Sequence, residues 1–169
     1  MERNTDRAPA ARADGLPVLE YLERLVAGVP GPERALPVRY PTAISRLLGF
    51  EIVEVGAGTA ALRVVADPDL HGNQQGTVHG GFLVELADAA IGTARSTLLG
   101  PGESFTSVDL RATFLRPVWS GELVARARPE HTGRTITHYA CDILRADGRP
   151  VATVTSAVMT LRGDRAAGR

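Results

Sequence analysis

Residues 71–88, HGNQQGTVHGGFLVELAD, divide the chain into a loop and the start of a long helix. The stretch from residue 67 to 78 is polar, contains Pro, Gly and Asn and has no periodicity, which predicts a loop. Apolar residues then recur at helical spacing, so a helix is predicted to begin near residues 79–82 and to end at Gly100-Pro101. Its predicted apolar face consists of Leu83, Leu86, Ala87, Ala90, Ala94 and Leu98.

Strand-like runs lie on both sides of this helix. Residues 50–55 and 59–66 precede it, joined at Gly56-Ala57-Gly58. Four runs follow it, at about residues 104–114, 122–131, 135–145 and 150–161. Strands with a single long helix predict an α+β domain in which a curved antiparallel sheet of about six strands wraps around that central helix. An exposed edge of such a sheet is commonly covered by a second subunit.

The chain outside this unit is predicted to be an extension and a tail. Residues 1–40 form an N-terminal extension in which 1–15 are expected to be disordered by composition. Residues 16–27 have the spacing of a short amphipathic helix, which we expect to pack on the outside of the domain or on a neighbouring subunit. The domain itself covers residues 41–162, opening with a short helix that ends at Gly49, and residues 163–169 are a tail expected to be disordered.

Composition excludes several classes of protein. The net charge is zero, and all 19 basic residues are arginine without a basic block, so we expect no nucleic-acid partner. The absence of lysine excludes a Schiff-base or P-loop lysine. The single cysteine, Cys141, cannot form an internal disulfide, and we expect it to be an unreactive core residue. No cluster of Cys and His residues has the spacing of a zinc site. We expect no metal, no membrane segment, no secretory signal and a cytoplasmic location.

The combined motif resembles that of the PaaI-like (phenylacetate-pathway) hotdog-fold acyl-CoA thioesterases. It consists of Asn73, then G-x-x-H-G-G at residues 76–81, and Asp88 nine positions after the histidine. The resemblance continues through residues 107–110, 114–117 and Gly121, and covers about residues 41–162. It implies a hotdog fold, a homodimer or homotetramer, and hydrolysis of an acyl-CoA thioester without metal or organic cofactor.

Gly80 and Gly81 stand at the first turn of the predicted helix. Backbone N–H groups there lack partners within the helix, and the helix dipole leaves a partial positive charge. Such a terminus can bind the thioester carbonyl and its developing oxyanion, and glycine lets an acyl group approach the backbone. A tight turn from loop to helix also requires glycines, so both explanations remain open.

The resemblance assigns the remaining roles. Asn73 helps hold the thioester carbonyl, with Gln74 and Gln75 as alternatives, although Asn is also a common turn residue. Asp88 is the general base that activates water or a nucleophile that forms a transient anhydride. The alternative for Asp88 is a solvent-facing stripe with Glu85 and Arg95.

Five further residues are candidates around this centre. Ser107 matches a hydroxyl that helps Asp88 orient water, with Thr106 as its alternative. His79 contributes to the substrate-binding turn mainly as a structural part. Arg116, and with it Arg111, are candidates for the phosphates of coenzyme A, because guanidinium pairs well with phosphate.

The spacing of Gly80 and Asp88 favours a shared site. Eight helical positions correspond to about 12 Å at ~1.5 Å per residue, too far for both groups to reach one thioester. A twofold pair of antiparallel helices would bring Asn73 and Gly80 of one subunit to Asp88 of the other.

Other functions fit less well. The run from Gly56 to Ala61 matches G-x-G-x-x-A but leads into a strand, so we interpret it as a hairpin turn and not as a dinucleotide site. No acid is followed five residues later by His, as hotdog hydratases require. A non-catalytic acyl-CoA or acyl-lipid binding protein stays open, as does the choice between aromatic and aliphatic acyl groups. For that choice, Phe82, Val84, Leu99 and Phe105 are the expected pocket residues.

Overall fold

The computed structural model describes residues 17–29 and 38–166, and its centre is one antiparallel sheet of seven strands. The strands are β1 Glu51–Gly56, β2 Thr59–Ala66, β3 Ser104–Ser107, β4 Arg111–Phe114, β5 Gly121–Thr132, β6 Ile136–Arg145 and β7 Pro150–Leu161. Their order is β1-β2-β5-β6-β7-β3, and β4 also pairs with β7. The predicted α+β hotdog architecture is confirmed, with one strand more than the six expected.

The extra strand arises because the predicted run 104–114 is interrupted. Ser107 pairs with Val158 and Arg111 with Thr155, so three residues of this segment oppose two on β7. This is a β-bulge. The Asp109 carboxylate stabilises it by accepting from the backbone N–H of Ala157 at 2.7 Å.

The central helix packs against the sheet. The helices are α1 Val18–Val26, α2 Ala43–Leu48, α3 Pro68–His71 and α4 Gly80–Ser96. Helix α4 ends four residues before the predicted Gly100-Pro101, because Leu98 and Leu99 donate to carbonyls only three residues back and tighten the last turn. Five of the six predicted apolar positions on α4 are buried, and Leu98 is half-buried.

The remaining elements are short. Helix α3 lies inside the segment predicted to be only a loop, because Asp67 caps it and Pro68 suits its first position. Helix α1 packs against β1 with Val18 and Leu22 buried, so this helix rests on the domain of its own chain. The disorder predicted for residues 1–15 falls outside the described residues. The predicted disordered tail begins with a 3-10 helix, Gly163–Arg165.

Cys141 is fully buried in β6, as expected for core filler. Burial raises the pKa of its thiol to about 12. Because the thiolate is the reactive form of cysteine, this thiol is chemically inert at neutral pH.

Candidate active site

The loop before α4 is closed by the side chain of Asn73. Its Oδ1 accepts from the backbone N–H groups of Gln75 at 2.8 Å and Thr77 at 3.3 Å, and its Nδ2 donates to the Thr77 hydroxyl at 2.9 Å. Asn73 therefore builds the turn in which it lies. A primary amide has two N–H donors, so the second one remains available for a ligand.

His79 and the two glycines form the start of α4. The Nδ1 atom of His79 accepts from the N–H of Gly81 at 2.8 Å, so His79 is the N-cap of the helix. Within the described part of the chain, the N–H of Gly80 has no acceptor. The sequence predicted Gly80 as a catalytic residue and Gly81 as a substrate-binding residue. The N–H of Gly81 is used by the cap, so among the described residues Gly80 is the one of the two whose N–H is available to a ligand.

A cavity of about 450 Å³ opens beside this helix end. Its lining residues are Asn73, Val78, Gly80, Leu83, Phe114, Leu115, Arg116, Pro117 and Val118. Three residues predicted for the site, Asn73, Gly80 and Arg116, therefore line one cavity whose other walls are mainly apolar. Such a cavity combines apolar surface for an acyl or pantetheine chain with a few polar groups that can orient it.

The ring of Phe114 covers Gly80. A Cβ atom placed on Gly80 would lie 2.9 Å from Cζ of this ring, closer than ordinary van der Waals contact. Phe114 is 55% exposed, so its ring can move at little cost in packing. The lack of a side chain at position 80 is therefore what lets another group approach this part of the backbone.

Asp88 lies two turns further along α4. Its Oδ1 accepts a hydrogen bond of 3.1 Å from the Ser107 hydroxyl on β3, and the carboxylate is half-buried. Burial raises the pKa of Asp88, and the hydrogen bond from Ser107 partly opposes that rise. A carboxylate with a raised pKa and a hydroxyl beside it is suited to accept a proton from water.

The alternative of a solvent-facing stripe through Glu85, Asp88 and Arg95 is wrong for Arg95. That side chain is only 5% exposed and donates to the Thr160 hydroxyl at 2.6 Å. Glu85 is half-buried, and burial followed by the charge of Asp88 raises its pKa. Asp88 has no salt bridge in the described residues.

The other candidates are more dispersed. Thr106 precedes Ser107 on β3, and because side chains alternate along a strand it faces away from Asp88. Arg116 is exposed at the cavity and donates to the carbonyl of Pro150 at 2.6 Å. Arg111 is exposed on β4 and does not line the cavity.

Part of the cavity wall was not predicted. The expected pocket residues Phe82, Val84, Leu99 and Phe105 do not line this cavity. Its apolar wall instead comes from residues 114–118, together with Val78 and Leu83 beside the start of α4. The signal in the sequence that could have indicated this wall is the apolar Phe114-Leu115 pair at the end of a predicted strand. The structure shows that this strand, β4, pairs with β7.

The two halves of the predicted site are separated within one chain. Gly80 and Asp88 both belong to α4, and eight positions correspond to about 12 Å along the helix axis. One chain therefore holds a donor with a cavity at the helix start and a carboxylate with a hydroxyl at the helix middle.

Two further results concern metals and membranes. Among residues 17–29 and 38–166, no group of three or more His, Cys, Asp or Glu side chains could hold a metal ion. No helix in the described part of the chain is long and apolar enough to span a membrane.

Comparisons with known proteins agree with this architecture. The pattern of the Thioesterase superfamily matches residues 75–152, which include α4 and the candidate carboxylate. A Haemophilus influenzae relative named "Putative esterase" is 34% identical over 124 residues, which cover 71% of this chain and 87% of the relative. The chain therefore belongs to the thioesterase superfamily and has its hotdog fold.

Solved structures extend the likeness. The E. coli PaaI protein from the phenylacetic acid degradation operon superposes with a TM-score of 0.67 at 26% identity, over 73% of this chain and 87% of that chain. A thioesterase from Haemophilus influenzae gives a TM-score of 0.68 at 26% identity, over 85% and 90%. The chain thus resembles PaaI-like members of the superfamily, as its motif indicated.

Proposed function

We propose that this protein hydrolyses acyl-CoA thioesters to a free acid and coenzyme A. The observation that carries the proposal is that one helix presents a free backbone donor at a cavity and, two turns later, a half-buried carboxylate with a hydroxyl partner. Membership of the thioesterase superfamily supports the same reaction class.

In the proposed reaction, the carbonyl oxygen of the thioester accepts from the N–H of Gly80 and from the amide of Asn73. These donors stabilise the negative charge that develops on the oxygen during attack. Asp88 takes a proton from water, the water oxygen bonds to the carbonyl carbon, and the C–S bond breaks. The proton then passes to the departing sulfur of coenzyme A. These groups need neither a metal nor an organic cofactor.

We also propose that each site combines two subunits. The 12 Å separation along α4 is too great for Gly80 and Asp88 of one chain to act on one carbonyl. A twofold pair with antiparallel α4 helices would place the start of one helix beside the middle of the other, giving two equivalent sites. We further propose that Arg116, which is exposed and lines the cavity, contacts a phosphate of coenzyme A.

The first experiment measures release of coenzyme A thiol from a panel of acyl-CoA substrates. Asp88→Asn keeps the shape and the hydrogen bond from Ser107 but removes the base, so we expect kcat to fall about 100- to 10,000-fold. Glu85→Gln is the matched control, because it neutralises a half-buried carboxylate one turn earlier on α4. Wild-type protein that binds acyl-CoA without releasing thiol would instead indicate a non-catalytic binding protein.

A second experiment tests the shared site. Asp88→Asn chains and Gly80→Val chains are co-expressed at equal levels, and the whole population of dimers is assayed. Half of the dimers should be mixed and each should hold one intact site, so about a quarter of wild-type activity should return. Two inactive variants that stay inactive when mixed would show that each site lies within one chain.

A further inference from the structure

Arg95 is a buried cation near the end of α4 that the proposed reaction does not use. It is 5% exposed, and it donates to the Thr160 hydroxyl at 2.6 Å. The Nε atom is buried without a partner among the described residues. A guanidinium has five N–H donors, so most of its binding capacity is unused.

Two more polar groups are buried in the same part of the fold. The hydroxyls of Tyr139 and Thr137, each on a side chain 1% exposed, also lack partners among the residues described. Both residues lie on β6 two positions apart, so they share one face of the sheet. Burial raises the pKa of the Tyr139 hydroxyl, and the neighbouring Arg95 guanidinium, chiefly through its charge, opposes part of that rise.

Among the described residues Arg95 has no salt-bridge partner, although its charge contributes to lowering the pKa of Glu103. No carboxylate in the described residues lies within salt-bridge distance of Arg95, and the nearby Glu103 pairs with Arg162 at 2.7 Å. The last-turn carbonyls of α4 carry only partial negative charge. Because a buried charge is costly without a counter-charge, the site favours binding of an anion.

Asp88 and Arg95 lie on the same side of α4. They are seven positions apart, which is close to two full turns and about 10 Å along the axis. Between them, Gly92 has no side chain, and the ring of Phe105 lies 3.6 Å from where its Cβ would be.

Strands β3 and β7 contact α4 along the same stretch, from Asp88 to Arg95. Asp88 contacts Ser107, Gly92 faces Phe105, and Arg95 contacts Thr160, which pairs with Phe105 in the β3–β7 ladder. An acyl chain that begins at Asp88 and displaces the Phe105 ring would therefore end at Arg95.

We propose that Arg95, with Tyr139 and Thr137, binds a carboxylate at the far end of the acyl chain. The preferred substrates would then be the coenzyme A thioesters of medium-length dicarboxylic acids. This inference rests on the proposed thioesterase function and adds the substrate class. Arg95 is the specificity-determining residue, and its pairing with a carboxylate supplies the salt-bridge partner that Arg95 does not have among the described residues.

The test compares substrates that differ only at the far end of the acyl chain. The wild-type kcat/KM for adipoyl-CoA and suberoyl-CoA should exceed that for hexanoyl-CoA and octanoyl-CoA about 10-fold or more. Arg95→Met should remove this preference, and Arg95→Lys should keep part of it. Arg126→Met, which removes an exposed arginine on β5 that pairs with Glu54, should leave the preference unchanged.

A binding measurement separates this inference from the proposed function. Free adipate should raise the Tm of the wild-type protein more than hexanoate does, and the difference should vanish in Arg95→Met. If no thioester is hydrolysed but this difference is found, the thioesterase proposal fails while the carboxylate site stands. Equal kcat/KM for both substrate types in wild type overturns the inference, even if Arg95→Met does not fold. Stabilisation by chloride without a preference for adipate would show a structural anion only, and would also overturn it.

Discussion

The two ends of α4 present different polar groups in different surroundings. At the start, Gly80 leaves a backbone N–H beside a cavity that is mainly apolar and open to solvent. Near the end, Arg95 places a full positive charge among buried hydroxyls. A neutral carbonyl needs only a donor and an accessible backbone, whereas a buried cation requires an anion. The start of α4 is therefore the proposed position of the reacting carbonyl, and its end is the proposed position of a charged end group.

The largest effect in this comparison is expected from a substitution that blocks access to the backbone N–H of Gly80. Gly80→Ala puts a methyl group against the Phe114 ring and beside the proposed carbonyl position. We expect kcat/KM to fall about 10- to 1,000-fold, as for loss of an oxyanion donor, while the Tm holds or rises because alanine favours helix. Steady-state kinetics with thermal unfolding measures both. Adding Phe114→Ala tests the cause: recovery would show that the displaced ring blocks the site.

A smaller effect is expected from the hydroxyl beside Asp88. The hydrogen bond from Ser107 lowers the pKa of Asp88, so Ser107→Ala should raise that pKa further. The base acts when ionised, so the acidic limb of the kcat/KM profile should move to higher pH and activity near neutral pH should fall a few-fold. Thr106→Ala, on the opposite face of the strand, is the control. An unshifted profile would show that Ser107 does not act on the base.

The smallest effect concerns stability. Burial raises the folded-state pKa of Asp88 above the unfolded value of about 3.9, so the folded state binds more protons between these two pKa values. Stability therefore falls as pH rises through this window, and the ionised residue destabilises the fold at pH 7. Asp88→Asn should have a higher Tm than wild type at pH 7, and the difference should shrink toward pH 4. A lower Tm at pH 7 would contradict this account.

Local sequence predicted much of the fold. The glycines and asparagine before residue 79 and the helical apolar spacing after it located the start of α4, and alternating apolar residues located β5, β6 and β7. The bulge at residues 108–110 was missed because pairing with β7 determines it, not strand propensity. The helix end was also misplaced, since the last turn tightens although residues 93–99 contain no glycine or proline.

For the candidate site, the sequence by itself determined which chemical groups the chain offers: a carboxylate at 88, glycines at 80 and 81, an amide at 73 and a hydroxyl at 107. It could do so because motif spacing is a one-dimensional property. Only the tertiary structure decided that the His79 side chain accepts from the N–H of Gly81 and leaves the N–H of Gly80 without an acceptor among the described residues. It also decided that Ser107 contacts Asp88 and that Arg95 is buried. These facts depend on which strand faces which side of α4, and burial of a side chain is a property of the packed elements together.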